Sequence, residues 1–377
     1  MSDTVGHFVS SYLPLTETFI YQYISNHDRY QPFVCSTFSE NLEMFKFEPR
    51  ETFMNLSRLN PRFWIYGVLA KFNIRDISET YYSRVIERRD PDILHAHFGP
   101  IGVGLVPYRE SNRKLVTSFY GYDASKLVEE DDDIQANYQR LFNRGNLFLV
   151  EGPAMQEKLL ELGCPESKTA VQRIAIDMSR ITPQYPTDDS SLRVLMVGRF
   201  VEKKGLPDGI KAFAKAFGGT DAELRLVGGD VEYSRERLEQ IANSAGLRNQ
   251  VTFTGYLDYN EYLAEISQCS LLLAPSKRAE SGDSEGGAPT VLIEAQATGK
   301  PVVSTTHADI PYIIEDGQTG MLAQPGNVSG LAEALRCCVD DAEHMTQMGR
   351  AGARRMQERH SITSLAPELE KKYDQLR

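Results

Sequence analysis

The chain has 377 residues, long enough for two α/β domains each with its own core. It carries 41 Lys+Arg against 52 Asp+Glu, and this acid excess argues against a general nucleic-acid binder, which needs a pervasive basic surface to displace counterions from phosphates. Five scattered cysteines without zinc or redox spacing fit a reducing compartment. No uncharged apolar run is long enough to cross a bilayer, and the opening MSDTVGHFVSSY lacks the pattern of a secretory leader. The expectation is a cytoplasmic protein that visits membranes rather than spanning them.

In chain order, residues 55–75 come first. They hold Arg58, Arg62, Lys71 and Arg75 with no acid, interleaved with Phe63, Trp64, Tyr66, Leu69 and Phe72. Two readings stand: a peripheral contact with anionic membrane at the inner face of the plasma membrane, or a core-packed helix with a basic rim. Asp90-Pro91-Asp92 has a metal-binding spacing, but it runs straight into the apolar strand ILHAHF, so no metal site is expected. The run from Glu129 to Asp133 reads as a solvated acidic loop. Strands and helices alternate up to about Ile176. A Pro-rich polar stretch, Thr182 to Leu192, then marks a boundary before a second alternating series.

Two strand-to-helix junctions of the second half carry the chemistry. The apolar run Leu192 to Val197 reads as a buried parallel strand, and Leu206, Ile210, Phe213, Ala214 and Phe217 repeat at helical spacing after it. Arg199 and Lys204 therefore lie at the strand's carboxyl mouth, where a guanidinium and an ammonium can meet a diphosphate. Farther on, a strand at Ser270 to Ala274 leads through a polar loop to Pro289 at the first helical position, then a helix ending at Gly299. Glu294 lies one turn behind Thr290, so its carboxylate can reach the pocket at the helix start and accept from vicinal hydroxyls.

The ordered set GRFVEKKG, VTFTGYL, LLLAPS, EGGAPTVLIEA, GKPVVST and DGQTGMLA, spread over residues 192–325, resembles the retaining glycosyltransferases of family 4, and within them the exopolysaccharide, colanic-acid type. The resemblance implies the GT-B fold: two doubly wound Rossmann-like α/β domains facing across a cleft. Residues 1–182 would be the acceptor domain, with a terminal helix at about 363–377 crossing back to it, and 192–360 the nucleotide-sugar donor domain. It further implies that Arg199 and Lys204 hold the donor diphosphate, assisted by backbone N–H groups around Gly286, Gly287, Ala288, Pro289 and Thr290. Glu294 would hold the ribose and Glu285 the transferred sugar. One departure is visible: eight residues separate Glu285 from Glu294 where the family usually has seven, and the extra residue is expected to bulge within Gly286-Gly287-Ala288.

In the first half the same resemblance makes Ser10 to Ile24 a strand-to-helix turn with Thr16 as N-cap. It makes DILHAHFGPIG and TSFYGYD strand ends beside the donor, and it places Tyr120 near the reacting sugar where many relatives carry histidine. Thr16, His97 and Asp123 fall on the acceptor side. His95 and His97 alternate along one strand, so one is expected to be packed and hydrogen-bonded. Pro367 reads as a new helical start in the tail. The implied reaction moves a sugar, with retention, from a nucleoside diphosphate to a saccharide or lipid-linked saccharide. A UDP-sugar is favoured over a GDP-sugar, and neither cofactor nor metal is required. A nucleotide-sugar epimerase, or a silent sugar-nucleotide-binding subunit, are the competing readings.

Overall fold

The computed structural model describes residues 3–14, 17–53, 77–110, 112–186, 191–287 and 289–377. Thr16, Ala288 and the basic-aromatic stretch 55–75 lie outside the described residues, and with the last of these so does the expected membrane contact.

The chain divides into two compact units. The first comprises Met1–Val150, Gln156–Ala175 and Ile362–Arg377, and the second Glu151–Met155 and Ile176–Ser361. In the first unit seven strands form one sheet: β1 (Thr4–Tyr12), β2 (Gln31–Ser39), β3 (Arg50–Thr52), β4 (Ile93–His97), β5 (Lys114–Ser118), β6 (Leu147–Val150) and β7 (Thr169–Val171). Their order is β3-β2-β1-β4-β5-β6-β7 and every pair is parallel. A parallel sheet covered on both faces needs near-continuous apolar strands, and all five residues of β4 are buried.

The second unit repeats the plan with β8 (Arg193–Val197), β9 (Glu223–Val227), β10 (Val251–Gly255), β11 (Leu271–Ala274), β12 (Val302–Thr305) and β13 (Gly320–Ala323), in the order β10-β9-β8-β11-β12-β13. The helix Leu206–Phe217 buries Leu206, Ile210, Phe213 and Phe217, the stripe that its sequence spacing predicts, against Leu224, Leu226 and Leu331. Both sheets therefore reverse direction once, between β1 and β4 and between β8 and β11. Such switch points leave a crevice at the carboxyl ends of the strands, because the connections on either side run away from each other.

The tail corrects one expectation. Pro367 does not start a helix; it lies inside a single helix, Ile362–Asp374. The missing N–H and ring clash cost about 3 kcal/mol. Ile362, Leu365, Leu369 and Tyr373 are all buried against Val5, Ile93 and Val116 of the first sheet, and each such side chain contributes roughly 1.5–3 kcal/mol. Packing outweighs the proline.

Candidate functional site

The second unit's switch point is built around a close backbone crossing. After β8 the chain passes Arg199 and makes a single 3-10 turn, Glu202–Lys204, that ends at Gly205 with φ 63°. A Cβ at Gly205 would stand 2.0 Å from the Pro275 carbonyl oxygen, so only glycine lets this loop lie against the one that follows β11. The crossing brings Lys204 to the second loop. Its Nζ lies 2.8 Å from Glu285 Oε1, which also accepts from Ser276 Oγ at 3.0 Å. Burial alone would raise the Glu285 carboxyl, but Lys204 and then Lys203 overcome it and hold the group below its ordinary value, so it is ionised. It is Glu285 itself that meets Lys204, despite the longer spacing to Glu294.

Lys203, which sequence reasoning passed over, points inward. Its Nζ donates to Asp283 Oδ1 at 3.0 Å and to the Ser284 carbonyl at 3.1 Å, pinning the loop that carries Glu285. Two adjacent lysines in a one-turn helix must point to different sides, and that was the available signal. Arg199 is exposed and forms no ion pair among the described residues.

Glu294 sits in the helix Thr290–Ala297 and is held differently. Its oxygens accept from Tyr259 at 3.3 Å and Tyr262 at 2.5 Å. Burial pushes its carboxyl up to about 7, with the two phenols opposing the shift. Each oxygen keeps further acceptor capacity. Both tyrosines come from the helix Tyr259–Gln268, and their i, i+3 spacing is the signal that would have paired them. Pro289 is the N-cap and Thr290 the first helical residue, one position later than the sequence suggests. Half-buried Gly286 precedes Gly287, whose N–H donates to Glu151 Oε2 at 2.7 Å. A carboxylate thus lies just before a helix N-terminus, where an anion is favoured.

The first unit's switch point contains no such ion pair among its described residues. His97 closes β4 and its Nδ1 lies 2.7 Å from the half-buried Tyr120 hydroxyl, the two rings stacking at 6°. His95 and His97 are both buried and hydrogen-bonded, so packing takes both rather than one. Asp123, expected on the acceptor side, is fully buried. Its carboxylate accepts the N–H groups of Gly99, Tyr120 and Gly121 at 2.9, 3.0 and 3.0 Å, which fixes the loop bearing Tyr120. Burial raises its carboxyl to about 6 while those N–H groups oppose the rise. The helix expected to be capped by Thr16 begins at Thr18, with Glu17 in the cap position.

Residues 177–355 match the family described as glycosyl transferases group 1. The likeness rests on this segment, just under half of the chain. The group 1 segment covers β8 to β13 together with Lys204, Glu285 and Glu294. The chain is 34% identical over 249 residues to the putative colanic acid biosynthesis glycosyltransferase WcaL of Escherichia coli (strain K12), covering 65% of this chain and 60% of that protein. It is 35% identical over 253 residues to the amylovoran biosynthesis glycosyltransferase AmsK of Erwinia amylovora, with the same coverage, so the match spans about three-fifths of these relatives' own length. Among solved structures, Anabaena Alr3699/HepE in complex with UDP and glucose superposes with a TM-score of 0.77 at 18% identity, over 99% of this chain and 100% of that one. Sucrose-phosphate synthase from Thermosynechococcus elongatus gives 0.77 at 19%, over 99% of each. These likenesses establish the fold class as GT-B. Among the described residues, no helix is long and apolar enough to cross a membrane.

Proposed function

We propose that this chain is a metal-independent, retaining glycosyltransferase that moves a sugar from a nucleoside diphosphate, with UDP favoured over GDP, to a hydroxyl of a saccharide or lipid-linked saccharide in exopolysaccharide synthesis. The observation that carries the reading is the Lys204–Glu285 pair at the β8/β11 switch point. It is a cation and an ionised carboxylate, both largely buried, with the N-terminus of the helix Thr290–Ala297 following directly on the loop that carries Glu285. The names of WcaL and AmsK and the UDP and glucose bound to the Anabaena protein support the substrate class.

In this reading the donor diphosphate draws Lys204 and Arg199 to itself, and their charge offsets the negative charge that grows on the leaving group. Glu285, released from Lys204, accepts from hydroxyls of the transferred sugar. Glu294 accepts from the ribose, with Tyr259 and Tyr262 fixing its rotamer. The leaving phosphate takes the proton of the incoming hydroxyl on the same face, so the protein needs no nucleophile and contributes position and charge. Residues 55–75 would hold the enzyme on anionic membrane near a lipid-linked acceptor.

The test is incubation of the full chain with a panel of nucleotide sugars, with and without chelator, reading release of nucleoside diphosphate. Release from one member, undiminished by chelator, is expected. Nucleotide binding without release from any member would instead make the chain a silent binding subunit. Flotation with phosphatidylglycerol vesicles at low and high salt, for wild type and for a variant with Arg58, Arg62, Lys71 and Arg75 changed to Glu, tests the membrane arm. Equal flotation of the two would remove it.

A further inference from the structure

Four side chains behind Tyr120 form one continuous hydrogen-bonded file inside the first unit. The Tyr120 hydroxyl lies 2.7 Å from His97 Nδ1, His97 Nε2 lies 3.0 Å from His7 Nδ1, and His7 Nε2 lies 2.9 Å from His27 Nε2. His27 Nδ1 then lies 3.4 Å from Glu370 Oε1. His7 is central on β1 and His97 ends β4, the two strands at the switch point; Glu370 belongs to the terminal helix. Burial, reinforced by neighbouring imidazoles, keeps His7 and His97 well below the ordinary histidine value. Burial also lowers His27, against the pull of Glu370. Each ring is therefore neutral and carries one N–H.

The direction of every bond then follows from one end. Glu370 is an ionised anchor: it also accepts the backbone N–H groups of Asp28 and Arg29 at 2.8 and 3.0 Å and Arg29 Nε at 3.0 Å. A carboxylate only accepts, so His27 holds its proton on Nδ1 and accepts at Nε2. His7 must therefore donate from Nε2 and accept at Nδ1. His97 does the same in turn, which leaves Tyr120 to donate its hydroxyl proton to His97 Nδ1. Reversing any single link sets two N–H groups, or two bare nitrogens, face to face inside a buried core, at a cost of about 1–3 kcal/mol.

We propose that this file is a polarity relay: Glu370, through His27, His7 and His97, commits the only proton of Tyr120 inward, so that Tyr120 meets substrate solely as a hydrogen-bond acceptor for a sugar hydroxyl. His7, His27, His97 and Glu370 are then positioning residues acting through Tyr120. The identity of the partner as a sugar hydroxyl rests on the proposed function; the polarity of the file does not. Ring nitrogens of His7, His95 and His97 also lie within 4.8 Å of one another, close enough to gather a metal ion. The relay is the better account because every one of those nitrogens already has a hydrogen-bond partner, His95 being satisfied by Tyr373 and Ser118.

The experiment is long-range proton–nitrogen NMR of the full chain labelled at its histidine rings, assigned by single histidine variants. The expected result is His7 and His97 protonated on Nε2 and His27 on Nδ1. His97 protonated on Nδ1 would overturn the relay, and so would stoichiometric zinc retained by the purified protein with the His7, His95 and His97 signals shifted. Kinetics form the second arm. In folded His27→Phe, the His7 and His97 tautomers should become mixed and kcat for the panel sugar that wild type uses should fall about tenfold, with KM for that sugar unchanged. Unchanged kcat alongside mixed tautomers would refute the positioning role. If wild type turns over no sugar, the proposed function fails while the wild-type tautomers still decide the polarity.

Discussion

At the carboxyl ends of β8 and β11 the second unit holds ions: Lys204 on Glu285, Lys203 on Asp283, Lys277 on Asp208. Along β1 and β4 the first unit holds neutral rings: His7 and His97 are hydrogen-bonded to each other, outward to Tyr120 after β5 and inward through His27 to the Glu370 carboxylate, while His95 beside them bonds Tyr373 and Ser118. The topology is the same and the electrostatics are opposite. A switch point is only a crevice; what it can bind is decided by the residues on a few loops. The ionic crevice suits a ligand that arrives with formal charge, such as a diphosphate. The neutral one suits a ligand made of hydroxyls, which needs donors and acceptors of fixed sense rather than net potential.

The largest expected effect breaks the ionic side. Lys204→Ala removes a preorganised cation and leaves buried Glu285 without its partner. Release of nucleoside diphosphate should fall roughly a hundredfold, and the melting temperature should drop as well. Arg199→Ala, which leaves no buried charge behind, should lower the rate without touching the melting temperature. If Lys204→Ala turns over like wild type, the donor does not bind at this switch point and the comparison loses its functional meaning.

Tyr120→Phe breaks the neutral side. It deletes the outermost link of the file, and a loss of about tenfold in turnover is expected, with UDP affinity measured by calorimetry unchanged. A fall in UDP affinity comparable to that of Lys204→Ala would mean that the two crevices do not divide the work as their electrostatics suggest.

The two sides also differ in how far they could be read from the chain. The ionic site is local: GRFVEKKG follows directly on a strand end and carries glycine turn and cations, and EGGAPTVLIEA carries glycine turn, helix start and both glutamates within a dozen positions, so Lys204 and Glu285 could be named and their loops placed. The direction in which a side chain points was harder. Nothing in the KK pair says which lysine reaches Glu285, and the tyrosines under Glu294 come from a helix more than thirty residues away. The neutral site is almost entirely non-local. His97 and Tyr120 were visible as strand-end residues, whereas His7, His27 and Glu370 come together only once β1 lies beside β4 and the terminal helix packs on the first sheet. Asp123 shows the same difficulty: a carboxylate that caps its own loop and one that faces a ligand look alike in sequence.

Glu294 sharpens the ionic half, because it is the carboxyl of that unit whose burial wins over its partners. It titrates near 4.5 when unfolded and near 7 when folded. Between those values the folded chain holds the extra proton, so the stability linked to neutral Glu294 is fully present below about 4.5 and is lost as pH rises through about 7. Glu294→Gln keeps a neutral group at all pH. Its melting temperature should therefore fall less than that of wild type across this window, an effect of at most roughly 3 kcal/mol. The same change should weaken UDP binding above the window, where wild type presents a carboxylate. A variant that binds UDP as tightly as wild type there would take the ribose away from Glu294.

The smallest effect concerns Glu151, whose carboxylate sits on a glycine-loop N–H of the proposed donor site. Its Oε2 accepts from Gly287 N–H at 2.7 Å, and a Cβ on Gly287 would stand 2.3 Å from that same oxygen. If diphosphate and carboxylate compete for this N–H, the ligand must displace Glu151, and its charge opposes the incoming phosphates over the last few ångströms. Near a helix N-terminus such a charge is worth about 0.3–1 kcal/mol. Glu151→Ala should therefore tighten UDP binding two- to fivefold by calorimetry, roughly the affinity equivalent of that energy, and should bind a nucleoside lacking phosphates no better than wild type does. Glu151→Asp, too short to reach the N–H, should tighten binding less, because it keeps the charge nearby while giving up the hydrogen bond. Weaker UDP binding in Glu151→Ala would show instead that the carboxylate shapes the loop for the ligand, and that the ionic crevice is organised by acids as well as by lysines.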